Sequence, residues 1–467
     1  MTRITRRRLL KGSGTGLAAL TAGCTGGPGA GTETSTDTTT GGANKNEVHF
    51  LTDYSNDAWQ DKWENEIVPG FEEQTGIPVN VEYAGMQGTG EQRLTTLMQS
   101  GDTPESFTGT LTQVGDMVAR GQTAPVGDAL SAIEEENGDL LYKSTVTVSD
   151  QVHMIPHGLY LGGTFNYRKD VYEKLGLEVP ETWEELVHNA KVIDESDEVQ
   201  ERGFAMPAPK AGKSGSEFSN FLANAGGGTW QWETEGETAK VWFEEEHVLA
   251  ALDAMSELAE YSPDPSSVNW SSTIKYWVGG RVAQTIMNNA WLAGPAYGAG
   301  VTDIALNTDV APIPKREGAD PIDRGWALLD GHPVLSDADN VEGAKELLKF
   351  MYEGPETQAD KSTIEPMRFL PPYESAVDTD EYQSAEIFGV EDGYFLDLNR
   401  KCMEEVAPNL QSPDRPSTPA TLFAGRFPID SEMVNQVLVQ ERDPAKAYEE
   451  AKSRLQKRLE EGQELTA

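Results

Sequence analysis

The sequence predicts an α/β protein in which mostly parallel strands form open sheets with helices packed on their faces. Three observations carry that reading. Strand and helix patterns alternate β-α-β-α-β between Glu47 and Thr110, an order that a crossover-connected parallel sheet accommodates. A short, largely apolar run at Arg281–Met287 has the character of a strand buried inside such a sheet. Beyond the N-terminal region about 420 residues remain, enough for two lobes of ordinary domain size.

The elements follow in order. Glu47–Thr52 (EVHFLT) is a first strand, and Asp53-Tyr54-Ser55-Asn56 is the loop at its carboxyl end. Trp59, Trp63 and Ile67 recur every four residues on a helix expected to end near Pro69. Pro78–Tyr83 is a second strand; Leu94, Leu97 and Met98 mark a helix stopped by Gly101-Asp102-Thr103-Pro104. Ser106–Thr110 is a third strand, followed by the loop Leu111-Thr112-Gln113. Val152–Ile155 leads into a Gly-rich extended piece, Pro156–Gly163. Thr182-x-x-Glu185 is a capping box, opening a helix that carries Trp183, Leu186, Val187, Ala190 and Ile193 on one face. Val341, Ala344, Leu347, Leu348 and Met351 make another amphipathic helix, ended by Gly354-Pro355. Asp443-Pro444 opens a last one with Tyr448, Ala451, Leu455 and Leu459 inward. No internal repeat is present.

The most informative stretch is Tyr276–Pro295, YWVGGRVAQTIMNNAWLAGP. Gly279-Gly280 ends a helix, because glycine enters the left-handed region without steric cost. After the Arg281–Met287 strand, Asn288-Asn289 turns the chain, and Trp291 opens an element that Gly294-Pro295 cuts short. Two amides and an indole therefore sit past the carboxyl end of a strand, the edge where open α/β sheets bind ligands. An indole face with paired amides suits a sugar, which has apolar C–H faces and a belt of hydroxyls. The competing reading is a core tryptophan beside two turn asparagines.

At the N-terminus, Thr5-Arg6-Arg7-Arg8-Leu9-Leu10-Lys11 resembles a twin-arginine export signal, so residues 1–23 read as a cleaved leader. Gly12–Ala22 is far shorter than the ~20 residues that span a bilayer. Thr21-Ala22-Gly23-Cys24 has the pattern of a lipobox, with Cys24 as the lipidated residue; a plain cleavable signal is the alternative. Thr25–Asn46, with seven Thr and six Gly, cannot bury enough to fold and reads as a tether. As a flexible coil it would reach roughly 25 Å.

Composition narrows the function. The formal charge is −40, and removal of the leader would take away five basic and no acidic groups. So acidic a chain is a poor partner for nucleic acid or anionic lipid surfaces. Its self-repulsion is tolerable where salt screens it, which points to a salt-loving archaeal source; an ordinary acidic bacterial protein is the alternative. Only two Cys are present; with Cys24 lipidated, Cys402 has no disulfide partner. His153 and His157 are separated by Pro156, which breaks the helix that would align them on a metal. Gly212-Lys213-Ser214 suggests a phosphate loop, but Pro207 stands where that motif needs glycine. No G-x-S-x-G, H-E-x-x-H or C-x-x-C occurs, and carboxylate pairs are uninformative among 77 acids. No enzyme activity, cofactor or metal is expected.

Several further stretches carry a resemblance. They include FEEQTGIPVNVEY at Phe71–Tyr83, TTLMQSGDTPE at Thr95–Glu105 and FNYRKDVYEKLGL at Phe165–Leu177. PETWEEL at Pro180–Leu186, ANAGG at Ala223–Gly227, GWAL at Gly325–Leu328 and PMRFLPPYESA at Pro366–Ala376 follow in order. From about Glu47 to its end the chain resembles the extracellular solute-binding proteins of sugar-type ABC importers, the maltose-binding-protein superfamily. The resemblance implies a two-lobed periplasmic-binding-protein-like fold with the ligand between lobes. Residues 47–159 plus 314–357 would form the N-lobe, and residues 160–313 plus 358–467 the C-lobe. It also implies a receptor handing solute to permease subunits by hinge closure, which lipid at Cys24 would hold on the outer face of the cytoplasmic membrane. The alternatives are a secreted polysaccharide-active enzyme and a binding protein that feeds a chemoreceptor.

For such a receptor, ligand residues belong on strand-end loops facing the cleft. The candidates are Tyr54, Ser55 and Gln113 from the first lobe, and His157 and Tyr160 from the crossover. Phe218, Asn224, Trp230, Trp270, Asn289 and Trp291 come from the second lobe, with Trp326 and Arg368 on the return segments. By the resemblance, Trp291 takes the ligand-stacking position, although this chain has N-N-A-W where the family usually has G-P-W. Asn269-Trp270-Ser271 is a glycosylation sequon, and a glycan there would put Trp270 outside the cleft.

Overall fold

The computed structural model describes residues 46–85, 89–110, 115–210, 212–234, 238–321, 324–410, 418–425 and 428–466. The twin-arginine segment, Cys24 and the Thr/Gly tether lie outside these, as does Gln113. No helix among the described residues is long and apolar enough to cross a membrane.

Fourteen strands are described. In chain order they are β1 (Val48–Thr52), β2 (Val79–Tyr83), β3 (Ser106–Phe107), β4 (Gly109–Thr110), β5 (Thr123–Ala124), β6 (Thr147–Val148) and β7 (Gln151–Val152). Then come β8 (Met154–Leu161), β9 (Thr164–Arg168), β10 (Trp230–Thr234), β11 (Thr238–Val241), β12 (Gln284–Met287), β13 (Thr308–Pro312) and β14 (Ala327–Leu335). The first lobe is built on a sheet ordered β2-β1-β3-β14-β4, with β5 and β8 also paired to β14. The second is built on β12-β9-β13.

The two-lobed α/β class is as expected, but the sheets are not mostly parallel. β1 runs parallel to β2 and β3, whereas β14 is antiparallel to each of its neighbours and β9 to both of its own. The reason is connectivity. The chain leaves the first sheet after β8 and re-enters it at β14, so these two strands run in opposite directions. Those two strands pair from Ala327↔Leu161 to Pro333↔Met154. Their register slips at one point: Asp330 faces Gly158 and Gly331 faces Pro156, leaving His157 as a bulged residue. Gly331 is needed there, because a Cβ would run into the Ile155 carbonyl.

The first helical segment continues past its predicted end. Asp57–Lys62 passes through a π turn at Trp63–Ile67 into Val68–Thr75 and stops at Gly76, whose φ is 73°. The widened turn opens the hydrogen-bond ladder where Pro69, lacking an N–H, enters, so the proline is tolerated. Trp59, Trp63, Ile67 and Phe71 are buried in one core with Phe50, Leu347, Leu348 and Met351. The capping box is present, with Glu185 N donating to Thr182 Oγ1 and Thr182 N to Glu185 Oε2. A second core holds Phe165, Leu186, Ile193, Phe221, Leu252, Met255, Ile286 and Leu455. In the Tyr276–Pro295 stretch the helix Trp270–Val278 ends at the glycine pair as expected, with Gly280 at φ 58°. Gly294-Pro295 does not cut the next element short. It lies in the first turn of the helix Ala293–Gly298, where proline loses no hydrogen bond.

Candidate functional site

Acidic and basic side chains are brought together with aromatic ones where β1, β8, β14 and the segment Pro366–Leu370 meet. Asp53 and Tyr54 follow β1, Tyr160 lies on β8, and Asp330 lies on β14 at the bulge. Leu370 holds the fourth segment in register, exchanging backbone hydrogen bonds with Leu159 of β8 at 2.8 and 3.1 Å. Arg368 is thereby presented to the same space.

The contacts form one network. Tyr54 Oη donates to Asp330 Oδ2 at 2.7 Å. Arg368 Nε donates to Tyr160 Oη at 3.1 Å, and its Nη1 to Glu365 Oε2 at 3.1 Å. Trp59 Nε1 donates to the same Glu365 oxygen, at 3.1 Å. The Arg368 guanidinium lies 4.9 Å from the Trp291 ring centre, 4.7 Å from Phe369 and 5.4 Å from Tyr54, all within cation–π range. Tyr54 stacks on Trp59 with centroids 5.0 Å apart, and Trp291 faces Trp270 at 6.4 Å with a 34° tilt. Burial pushes the Asp53 carboxyl up to about 6, with Asp330 adding to the rise and Arg368 opposing it. Asp330 is also raised, chiefly by burial, against the Tyr54 hydroxyl.

Tyr54, Tyr160, Trp291, Arg368 and, behind Trp291, Trp270 are therefore brought together. Ser55 is half-buried at the edge of this group, its carbonyl accepting from Gln60 Nε2. Asn289 adjoins the group but does not offer it an amide. Its Oδ1 accepts from Leu161 N, and its Nδ2 donates to Leu159 O and Arg368 O at 3.1 and 2.7 Å. Every amide group is used on the protein, so Asn289 is a strut that ties the turn to β8 and to Arg368. His157 is fully buried: its Nδ1 lies 3.2 Å from Tyr352 Oη, which also contacts His332 Nε2 at 2.6 Å. Burial holds both imidazoles below their usual range, His332 at about 3.

The other candidates lie elsewhere. Phe218 is in the second core against Phe243, a position set by the apolar stripe of its helix. Asn224 Nδ2 donates to Asn220 O and Arg324 O, closing the end of that helix. Trp230, on the β10–β11 hairpin, packs against the second core and the Leu459 patch. Trp326 is half-buried with its ring against Gly162, where a Cβ would collide with it.

Sequence reasoning passed over Asp53, Asp330 and Glu365. One signal was readable: Asp330 is the lone acid in the strand ALLDGHPVL, and a carboxylate there must be buried. It also dismissed Lys213. That residue is buried on the helix Gly212–Asn224, bonded to Glu217, with its ammonium 4.7 Å from the Trp270 ring. Chemically, the group offers indole and phenol faces, carboxyl acceptors and a guanidinium donor, which together recognise hydroxyls and apolar ring faces.

No curated protein sequence matches the chain. Solved structures match over most of its length. An ABC transporter solute-binding protein of Thermotoga lettingae with bound α-D-tagatose is 21% identical, covering 88% of this chain and 99% of that one, at a TM-score of 0.68. The maltose-bound MalE3 protein of T. maritima is 18% identical over 88% of this chain and 98% of its own, at 0.70. The GacH receptor of Streptomyces glaucescens, solved with acarbose, is 18% identical over 89% and 98%, at 0.69. These likenesses establish the fold. The model of the bacterial extracellular solute-binding protein family matches residues 53–358, about two thirds of the sequence, and the chain belongs to that family.

Proposed function

We propose that this solute-binding protein takes a neutral sugar or polyol between its lobes and hands it to an ABC import permease. One observation carries the reading: the rings of Tyr54, Trp59 and Trp291 gather with Asp53, Asp330 and Arg368 where β1, β8 and β14 meet. Carboxyl and guanidinium groups bind hydroxyls in complementary pairs, while ring faces accept the C–H surface of a sugar. Asp53, Asp330 and Glu365 outnumber Arg368 three to one, which disfavours an anionic solute. Neighbours solved with maltose, D-tagatose, ribitol and D-mannitol support the class; one solved with glycerophosphocholine marks its edge. Because solute would touch both lobes only when they shut, its differential affinity drives closure.

A thermal-shift panel of those five compounds tests the reading. A solute that binds only the folded chain raises the melting temperature, by about 2.7 kcal/mol of stabilisation at a hundredfold excess over Kd. A shift with a sugar or polyol supports the class; a shift with glycerophosphocholine alone would replace it.

The receptor is further proposed to be exported by the twin-arginine route and held by lipid at Cys24, as Thr21–Cys24 and the Thr/Gly tether suggest. Cys24→Ser should then release the protein into the medium with its solute affinity intact. A mutant still bound to membranes would contradict the anchor.

A further inference from the structure

Lys213 is a charged side chain in an expensive place. It is the second residue of the helix Gly212–Asn224, where the helix dipole disfavours a cation, and it is 1% exposed. Its ammonium donates to Glu217 Oε2 at 3.0 Å and to Ile286 O at 2.6 Å. Glu217 is equally buried, and its Oε1 has no hydrogen-bond partner among the described residues. A buried ion pair left partly unsatisfied adds little stability compared with apolar side chains of the same volume. Its placement, by contrast, is specific. The ammonium sits 4.7 Å from the Trp270 ring centre; Trp270 faces Trp291 at 6.4 Å; Arg368 covers Trp291 at 4.9 Å. Ile286, which Lys213 also holds, lies on β12, just before the Asn288-Asn289 turn that carries Trp291.

We propose that Lys213, balanced by Glu217, is a positioning residue: it fixes the plane of Trp270 and through it the orientation of Trp291 in the solute site. The contribution to binding rests on the reading of Trp291 given above; the contribution to indole geometry does not. An ammonium over an indole is directional, because it is drawn to the ring face, and a ring held on that side presents a fixed surface to its neighbour. An apolar residue at position 213 would fill the space without choosing the ring's tilt.

The test uses K213M/E217Q, which removes both charges and strands neither, and K213R, which keeps the cation. Indole N–H resonances of Trp270 and Trp291, assigned with W270F and W291F, are recorded without solute. Both are expected to shift in K213M/E217Q, to return towards wild-type positions in K213R, and to leave Trp59 and Trp63 unmoved. Affinity for the panel compound with the largest thermal shift should fall about threefold to thirtyfold in the double variant. Unmoved Trp270 and Trp291 resonances would overturn the proposal, as would moved resonances with unchanged affinity. A double variant that fails to fold would make the pair structural and overturn it too. Full affinity in W291A would instead strike the solute-site reading, since the indole spectra need no solute.

Discussion

Asn289 shows what one residue reveals and conceals. Its left-handed φ of 48° explains why asparagine stands there, since asparagine enters that region more readily than other side chains. The sequence marks the turn correctly, but the destination of the amide depends on Leu159, Leu161 and Arg368, which are remote in the chain. Trp291 and Arg368 were readable because large aromatics and a lone arginine at segment ends stand out. Asp53 was not, because its character comes from burial beside Asp330. It also yields a prediction. The Asp53 carboxyl is raised to about 6 from 3.8, so the folded state prefers it protonated. Stability from this group is therefore present at low pH and lost as pH rises from about 4 through 6. Asp53→Asn removes that loss and should be more stable than wild type above pH 6, by about 1–3 kcal/mol, with near equality at pH 4. It should also bind solute more weakly. Denaturant unfolding across pH 4–8 checks this; a constant difference between the two proteins would contradict it.

At the scale of elements, local rules were legible where local physics decides. The capping box at Thr182, the glycine stop at Gly279-Gly280 and the apolar faces of Val341–Tyr352 and the last helix needed no tertiary information. The pairing of β8 with β14 did need it. Nothing local in Pro156–Gly163 says that this segment pairs with Ala327–Leu335, nor that the pairing slips at Asp330. At the slip the bulge sets the Asp330 carboxyl against Tyr54, within the candidate site. Gly331→Ala should therefore be costly, since its Cβ meets the rigid Ile155 carbonyl. A loss of about 1–3 kcal/mol in denaturant unfolding is expected. Gly127→Ala, with open space around its Cβ, should stay within about 0.5 kcal/mol of wild type. Equal costs at the two positions would show that the bulge is not under steric control.

For the whole molecule, charge and lobe architecture set behaviour. A formal charge of −40 makes self-repulsion a global term, one that grows as the Debye length lengthens from ~3 Å at 1 M salt to ~10 Å at 0.1 M. Melting temperature should fall on dilution across that range, and a flat profile would contradict adaptation to high salt. The two-lobed class was legible from ordered motifs spread along the chain, whereas the mixed sheets were not, because strand direction at a crossover depends on where the chain returns. In the proposed complex the solute lies against Trp291 and the Tyr54–Asp330–Arg368 group. Calorimetric titration of Trp291→Ala beside wild type, with the strongest compound of the panel, checks that placement. Trp291 is 8% exposed and packed on Trp270 and Arg368, so the unliganded mutant should also melt lower. Losing the ring should weaken binding by roughly 10- to 100-fold, as expected for about 1–3 kcal/mol of aromatic contact. Unchanged affinity in a folded Trp291→Ala would place the solute elsewhere.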